Sequence, residues 1–355
     1  MARTAIIYSK DYLKHDSGPN HPERKERLIA IMNGLEERGL LENPRIKLII
    51  PTSATEEDLL LVHPKEYIDE IKRFSELGGG PLTMDTAGSK DTFDVALLAV
   101  GGALNAADLV MRDDVKNAFA FIRPPGHHAS SAIARGFCFF NNIVILGEYL
   151  MKNHGLERIL CVDVDTHHGN GTQDITYDKS YFLYMGLHQD GRTLYPGTGY
   201  IHEIGVAEGR GRNINIPFPP GTGDETYLHA LKEILIPVSE QYEPQIVLVS
   251  WGFDTHVFDH LASLNLTSQG YSKIAEILLE VADKCSKGKM IVLLEGGYDL
   301  DALSRGSSNV VSKMAGINNQ VQDKVVEEPP SVREYMEKVL KQLKQNLKDF
   351  WTFQL

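Results

Sequence analysis

The sequence predicts an α/β fold, with a central parallel sheet carrying helices on both faces in one large domain. Three observations lead there. Short apolar runs within 118–122, 159–162, 245–250 and 290–294 have the composition of strands buried on both faces, not the alternation of a half-exposed sheet. Stretches of helical length and pattern separate them. Finally, these four strands each end in polar side chains, and open α/β sheets bind ligands outside the carboxyl ends of their strands.

Taken in order, residues 5–8 form the first strand. Asn20-His-Pro-Glu23 reads as a loop entering a helix through Leu28, Ile31, Met32 and Leu35, with Pro22 and Glu23 in its first turn, where both are favoured. Arg27 is a candidate lining residue. Residues 56–60 and 64–74 are helical in pattern, and His63 between them reads as structural. Gly78-Gly-Gly-Pro81 breaks the pattern, 85–89 is a polar loop, and the Ala- and Gly-rich stretch 93–111 is a helix packed closely on the sheet. Strand 118–122 then ends in Arg123-Pro-Pro-Gly-His127-His128. The prolines fix the loop, and two adjacent histidines at a strand end suit paired proton carriers. Gly136-Phe137-Cys-Phe-Phe-Asn-Asn142 is an aromatic-rich turn, fit either to wall an apolar channel or to join the core.

Strand 159–162 delivers Asp163-Val-Asp165-Thr-His167-His168-Gly-Asn170-Gly171. Alternation along an extended chain puts Asp163, Asp165 and His167 on one face, and an Asp and a His two apart can converge on one metal ion. Strand 182–187 ends in His188, and Leu194-Tyr195-Pro-Gly-Thr-Gly199 is a rigid loop. A short strand at 213–216 and an amphipathic helix at 225–242 precede strand 245–250, which presents Trp251-Gly-Phe-Asp254-Thr-His256. Asp254 supplies the third metal ligand. A helix over 268–286 leads to strand 290–294 and Glu295-Gly-Gly-Tyr298, where the glycines let the backbone fold over a site and swing the phenol in. Residues 1–316 thus form the main domain. Residues 317–330 are a linker, and 331–355 are an amphipathic helix with Lys338, Lys341, Lys344 and Lys348 on its polar face, packed back on the domain.

Composition narrows the class. With Lys+Arg 36 against Asp+Glu 48, the formal net charge of -12 opposes sequence-independent binding to nucleic acid. Cys138, Cys161 and Cys285 are far apart in apolar or helical surroundings, as in a reduced protein. No stretch reads as a signal peptide or membrane span, so a soluble cytoplasmic protein without membrane association is expected.

An Asp-x-His and a distant Asp leave a metal with an open position, able to polarise a carbonyl and activate water. The histidine pair adds a general base and acid, and Tyr298 can hydrogen-bond a developing oxyanion. The chemistry is that of amide hydrolysis. From Asn20 to about Gly316 the chain resembles the zinc-dependent histone deacetylase family, which includes acetylpolyamine amidohydrolases and acetoin-utilisation proteins. The resemblance rests on Asn20-His-Pro-Glu23, Arg123-Pro-Pro-Gly-His-His128, Gly136-Phe-Cys138, Asp163-Val-Asp-Thr-His-His-Gly-Asn-Gly-Thr-Gln173, Pro196-Gly-Thr-Gly199, Gly252-Phe-Asp254 and Glu295-Gly-Gly-Tyr298.

That resemblance implies the arginase-deacetylase fold and a Zn2+ ion, or alternatively Fe2+, held by Asp165, His167 and Asp254. It implies His127 and His128 as the catalytic pair, with His128 as general base and acid, and Tyr298 as oxyanion donor. Gly136, Phe137 and Tyr195 would line the substrate tunnel. The His-His-Gly-Asn-Gly-Thr-Gln run resembles the class II branch, in which Asn170 orients His128 and Asp163 pairs with His127. The family also implies a structural K+ ion near Asp163. Here the chain departs, with Gly186 where a Ser hydroxyl is common, and Lys25 replaces a frequent Pro.

Leu261 falls where polyamine-specific relatives place an acid, so the expected substrate is an acetylated lysine peptide or another small N-acyl amine. The alternatives are an acetylpolyamine amidohydrolase, a non-catalytic acyl-lysine binder that would be expected to have lost a ligand or the Tyr, and a dinuclear arginase-like hydrolase. The last would want an Asp at His256.

Overall fold

A computed structural model describes residues 3–353; Met1, Ala2 and the last two residues of the helix expected to reach 355 lie outside the described residues. Strands and helices alternate. β1 (Thr4–Ile7) leads through α1 (Glu26–Glu37) to β2 (Ile46–Ile49), then α2 (Glu56–Leu59) and α3 (Lys65–Glu76). A small antiparallel hairpin of β3 (Gly79–Pro81) and β4 (Ala87–Ser89) precedes α4 (Thr92–Met111) and β5 (Asn117–Ala120). Next come α5 (Asn142–His154), β6 (Ile159–Asp163), α6 (Asn170–Thr176), β7 (Phe182–Gln189) and β8 (Asn213–Phe218). The chain continues through α7 (Asp224–Tyr242), β9 (Ile246–Trp251), α8 (Ser268–Cys285), β10 (Met290–Leu294), α9 (Leu300–Ala315) and α10 (Pro330–Leu347).

Eight strands pair in parallel in the order β2-β1-β5-β10-β9-β6-β7-β8. This is the expected α/β architecture. The strands of the sheet's interior are buried throughout, as a parallel sheet covered on both faces requires. The order also brings β5, β10, β9 and β6 together at the centre. These four adjacent strands precede the two histidines, Tyr298, Asp254 and the Asp165/His167 loop.

Several elements differ from the sequence reading. α1 starts at Glu26, so Glu23 is not in its first turn but three residues ahead of it, fully buried. Helix α4 is long and apolar enough to cross a membrane, contrary to the expectation that no stretch would be; 78% of its apolar window is buried. Its small residues admit close packing, and a helix apolar on all sides belongs in a core. The segment between α9 and α10 lacks regular structure yet bonds inward, with the Glu328 carboxylate accepting from the Gly223 amide and the Thr226 hydroxyl. Helix α10 buries Val332, Met336, Leu340, Leu343 and Leu347 and packs on α7 and β8. Cys138 and Cys161 are buried, Cys285 is half-buried, and all three are free.

Candidate active site

Beyond the end of β6, Asp165 and His167 meet Asp254 from the loop after β9, their ligand atoms all within 4.8 Å of one another. Asp165 Oδ1 accepts the His167 amide at 2.8 Å, and its Oδ2 accepts the Gly296 amide at 2.8 Å. His167 Nδ1 lies 3.1 Å from Asp165 Oδ1 and 3.2 Å from Asp254 Oδ2. Asp254 Oδ1 accepts the Thr166 amide, whereas the buried Oδ2 has no hydrogen bond of its own. An imidazole nitrogen and two carboxylates, one of them with an orphaned buried oxygen, fit a divalent cation. Burial opposes a charge on His167, but the two carboxylates outweigh it and raise its pKa to about 10. Burial and the charge of Asp165 push Asp254 up to about 6. This concentrated negative field is what a cation would relieve.

The backbone opposite is trimmed to fit. A Cβ on Gly252 would stand 2.1 Å from Asp165 Oδ2 and 2.6 Å from Asp254 Oδ1, so only glycine leaves both carboxylates in place. We expect Gly252→Ala to weaken divalent-metal affinity by about 10- to 100-fold, the usual cost of disturbing groups that hold ligands. Competition against a metallochromic chelator measures it, and unchanged affinity would show that the carboxylates tolerate displacement.

The histidine pair sits beside this cluster, with ring centroids 4.0 Å apart. His127 Nδ1 is 3.1 Å from Asp163 Oδ2, and His128 Nδ1 is 2.8 Å from Asn170 Oδ1. Their environments drive them apart. Burial disfavours a charge on His127, but Asp163 and Asp165 overcome it and raise its pKa to about 10. For His128 burial acts alongside the positive charges of His127 and His167, lowering its pKa well below 6.5. One imidazole is therefore held protonated and its neighbour neutral. The loop that carries them is pinned from β10, because Glu295 Oε2 accepts the amides of Gly126 at 2.7 Å and His127 at 3.1 Å.

Tyr298 is buried, with its amide donating to Asp259 Oδ2 at 2.6 Å. Phe137 meets its ring edge-on at 6.0 Å, and the Arg27 guanidinium lies 5.1 Å from its centroid. Gly136 and Phe137 both have positive φ, a left-handed pair that lets the loop cross directly over His128. Tyr195, 42% exposed, stands edge-on to His128 at 5.2 Å. Leu261 is half-buried and its amide donates to Asp259 Oδ1. Every site residue named from the sequence except Leu261 is thereby linked directly to the metal cluster, the histidine pair or the tyrosine; Leu261 reaches Tyr298 through the shared Asp259.

The sequence profile of the histone deacetylase domain matches residues 21–314. The chain belongs to the histone deacetylase family. It is 44% identical over 316 residues to a probable deacetylase of Archaeoglobus fulgidus, covering 89% of this chain and 87% of that protein. A histone deacetylase-like amidohydrolase of Pseudomonas aeruginosa is 35% identical, with 90% of this chain and 88% of that protein covered. The crystal structure of the HDA15 HD domain superposes with a TM-score of 0.89 at 32% identity, covering 99% of this chain and 96% of that one. The eight-stranded parallel sheet with helices around it is thus the arginase-deacetylase fold of this histone deacetylase family.

Within this histone deacetylase domain, two residues act differently from the sequence reading. Arg27 is buried against the Tyr298 ring and donates Nε to Gly297 O and Nη2 to Glu295 O, so it holds the backbone on both sides of Gly296. Glu23 is bound to Arg27 and Arg123. Its role was invisible because Arg123 is one hundred residues away in sequence. Asp259 was also missed; a single Asp in a loop carries no signal until its three backbone partners are known. Near Asp163, the hydroxyl absent at Gly186 is replaced by that of Tyr184, which donates to Asp163 Oδ2 at 3.2 Å and accepts from the Gly169 amide. A Cβ on Gly186 would stand 2.8 Å from that phenol oxygen. The Ser hydroxyl common at this position of the K+ site is thus absent from the chain.

Proposed function

We propose that the protein is a zinc-dependent deacetylase that hydrolyses the amide of N-acetyl-lysine or a similar small N-acyl amine. The observation that carries this reading is the convergence of the metal-ligand cluster, the split histidine pair and Tyr298 beyond four adjacent strands. Asp165, His167 and Asp254 would hold the ion. When bound, it supplies Lewis acidity toward the acyl carbonyl and toward water.

The protein side of the chemistry follows from the pKa split. Neutral His128 can take a proton from water and return it to the leaving amine, with Asn170 fixing its tautomer. His127, held cationic by Asp163, keeps a positive charge beside the developing negative one. Burial and the carboxylates around it keep the Tyr298 phenol protonated, so its hydroxyl can donate to the oxyanion. Phe137 and Tyr195 would flank the acyl-lysine chain. Leu261 offers no charge to a polyamine, and nearby Asp259 spends its carboxylate on three backbone amides.

The test is acetate release from an acetyl-lysine peptide and from an acetylated polyamine by the zinc-loaded protein, with the ferrous form in parallel. The peptide should be cleaved, chelation should abolish the reaction, and His128→Ala should lower kcat by about 10²- to 10⁴-fold. Cleavage of the polyamine alone would overturn the substrate assignment. Stoichiometric metal binding without cleavage of either would favour a binding protein for acyl-lysine.

A further inference from the structure

Asp323 lies between α9 and α10, past the stretch matched by the family profile, yet its side chain is completely buried. Its Oδ2 accepts the Ser268 amide at 2.7 Å, at the N-terminus of α8, and lies 3.0 Å from His256 Nε2; its Oδ1 accepts from Arg305 at 3.0 Å. His256 Nδ1 accepts the Phe258 amide at 3.2 Å. With Nδ1 accepting from the backbone, Nε2 is the nitrogen that faces the Asp323 carboxylate as donor. Phe258 and Tyr271 pack beside the ring at a tilt, with centroids 5.1 and 5.8 Å away.

The contacts continue to the reacting groups. The His256 carbonyl accepts the Asp259 amide at 2.9 Å. Asp259 in turn accepts the amides of Tyr298, Asp299 and Leu261. A buried carboxylate on an irregular segment is costly, and Arg305 and the end of α8 offset that cost. What the arrangement fixes is the turn running from the metal ligand Asp254 to Leu261.

We infer that Asp323 and His256 are positioning residues for the reaction, setting the backbone of Tyr298 and Leu261 through Asp259 from a segment outside the matched domain. The inference rests on the role assigned to Tyr298 above. Asp323→Ala removes the support, while Asp323→Asn can still accept from His256 and Ser268 through its remaining oxygen.

In the full chain, hydrogen exchange followed by mass spectrometry should quicken over 254–261 and 295–299 in Asp323→Ala and return most of the way to wild type in Asp323→Asn. With the acetyl-lysine peptide, Asp323→Ala should lower kcat by about 10- to 100-fold, the scale of a displaced catalytic group, with KM changing much less. In a Tyr298→Phe background the same change should cost almost nothing more, because both act on one group. If the two losses multiply, or exchange rises equally through α8 and α9, Asp323 is a general anchor and the inference fails. Should Asp323→Ala not fold, His256→Leu removes the same link from the other side and is read in the same way. If the exchange pattern appears but the wild type hydrolyses no acetyl-peptide, the positioning of the loop stands and the deacetylase reading falls.

Discussion

Replacing Tyr298 by Phe is expected to lower kcat on an acetyl-lysine peptide by about 10²- to 10³-fold, equivalent to roughly 2.7–4 kcal/mol of transition-state stabilisation, while leaving KM nearly unchanged. The phenol's surroundings account for this loss. Burial raises its pKa well above 10, the charges of Asp254 and Asp165 add to this, and Arg27 opposes them in part. The group therefore stays a hydrogen-bond donor across the working pH range. Its backbone is fixed by Asp259 and its ring by Phe137 and Arg27. The substitution keeps the ring and deletes only the hydroxyl, so packing survives. Steady-state kinetics beside a thermal melt would check this. An unchanged kcat would remove Tyr298 from the mechanism, and a large drop in Tm would show that the hydroxyl serves the fold instead.

Much of this site was legible because a parallel sheet writes its strands as apolar runs and its ligands directly after them. Asp165, His167, Asp254, His127, His128 and Tyr298 all follow strands that needed no tertiary information to find. What was hidden shows where local signals stop. Helix α9 carries Asp299 as N-cap and Gly316 at its end, both readable, but its Ser- and Gly-rich interior argues against a helix. Gly306 is there for packing, since a Cβ would stand 2.8 Å from the Phe253 ring. Helix α5 buries the consecutive run Ile143–Leu146, which carries no 3.6-residue period. Helix α6 begins at Asn170-Gly171, a pair that reads as a turn, and is held by its neighbours: the Thr172 amide donates to His127 O and the Gln173 side chain reaches His168. Strand β2 is an edge with Lys47 and Leu48 exposed, too weakly patterned to stand out.

The buried charges around Glu23 are the least legible feature, and Glu23→Ala is expected to be the most destabilising single change, by about 3–5 kcal/mol, because it strands two buried guanidinium groups. Glu23, Arg27 and Arg123 are all fully buried. Arg123 approaches both carboxylate oxygens, with Nη2 2.8 Å from Oε2, and Arg27 Nη1 reaches Oε1 at 3.1 Å. The remaining donors find carbonyls of Tyr12, His15, Glu295 and Gly297. His15, 3.4 Å away, is no third cation, because burial lowers its pKa.

Burial alone would raise the Glu23 pKa, but the charge of Arg123 and the bonds from His15 and Arg123 hold it well below 4.5. A depressed carboxyl pKa gives stability that is complete above the unfolded value and is lost as pH falls through the folded one. Urea unfolding of the wild type should therefore weaken progressively below pH 4.5, whereas Glu23→Gln should start less stable at neutral pH and lose less over the same interval. Equal slopes for the two proteins would place the acid-sensitive group elsewhere. Because Arg27 grips the backbone flanking Gly296, the same substitution should also loosen the approach to Tyr298. A fall in kcat at temperatures where the variant is still folded would show that this ion cluster serves the catalytic loop as well as the fold.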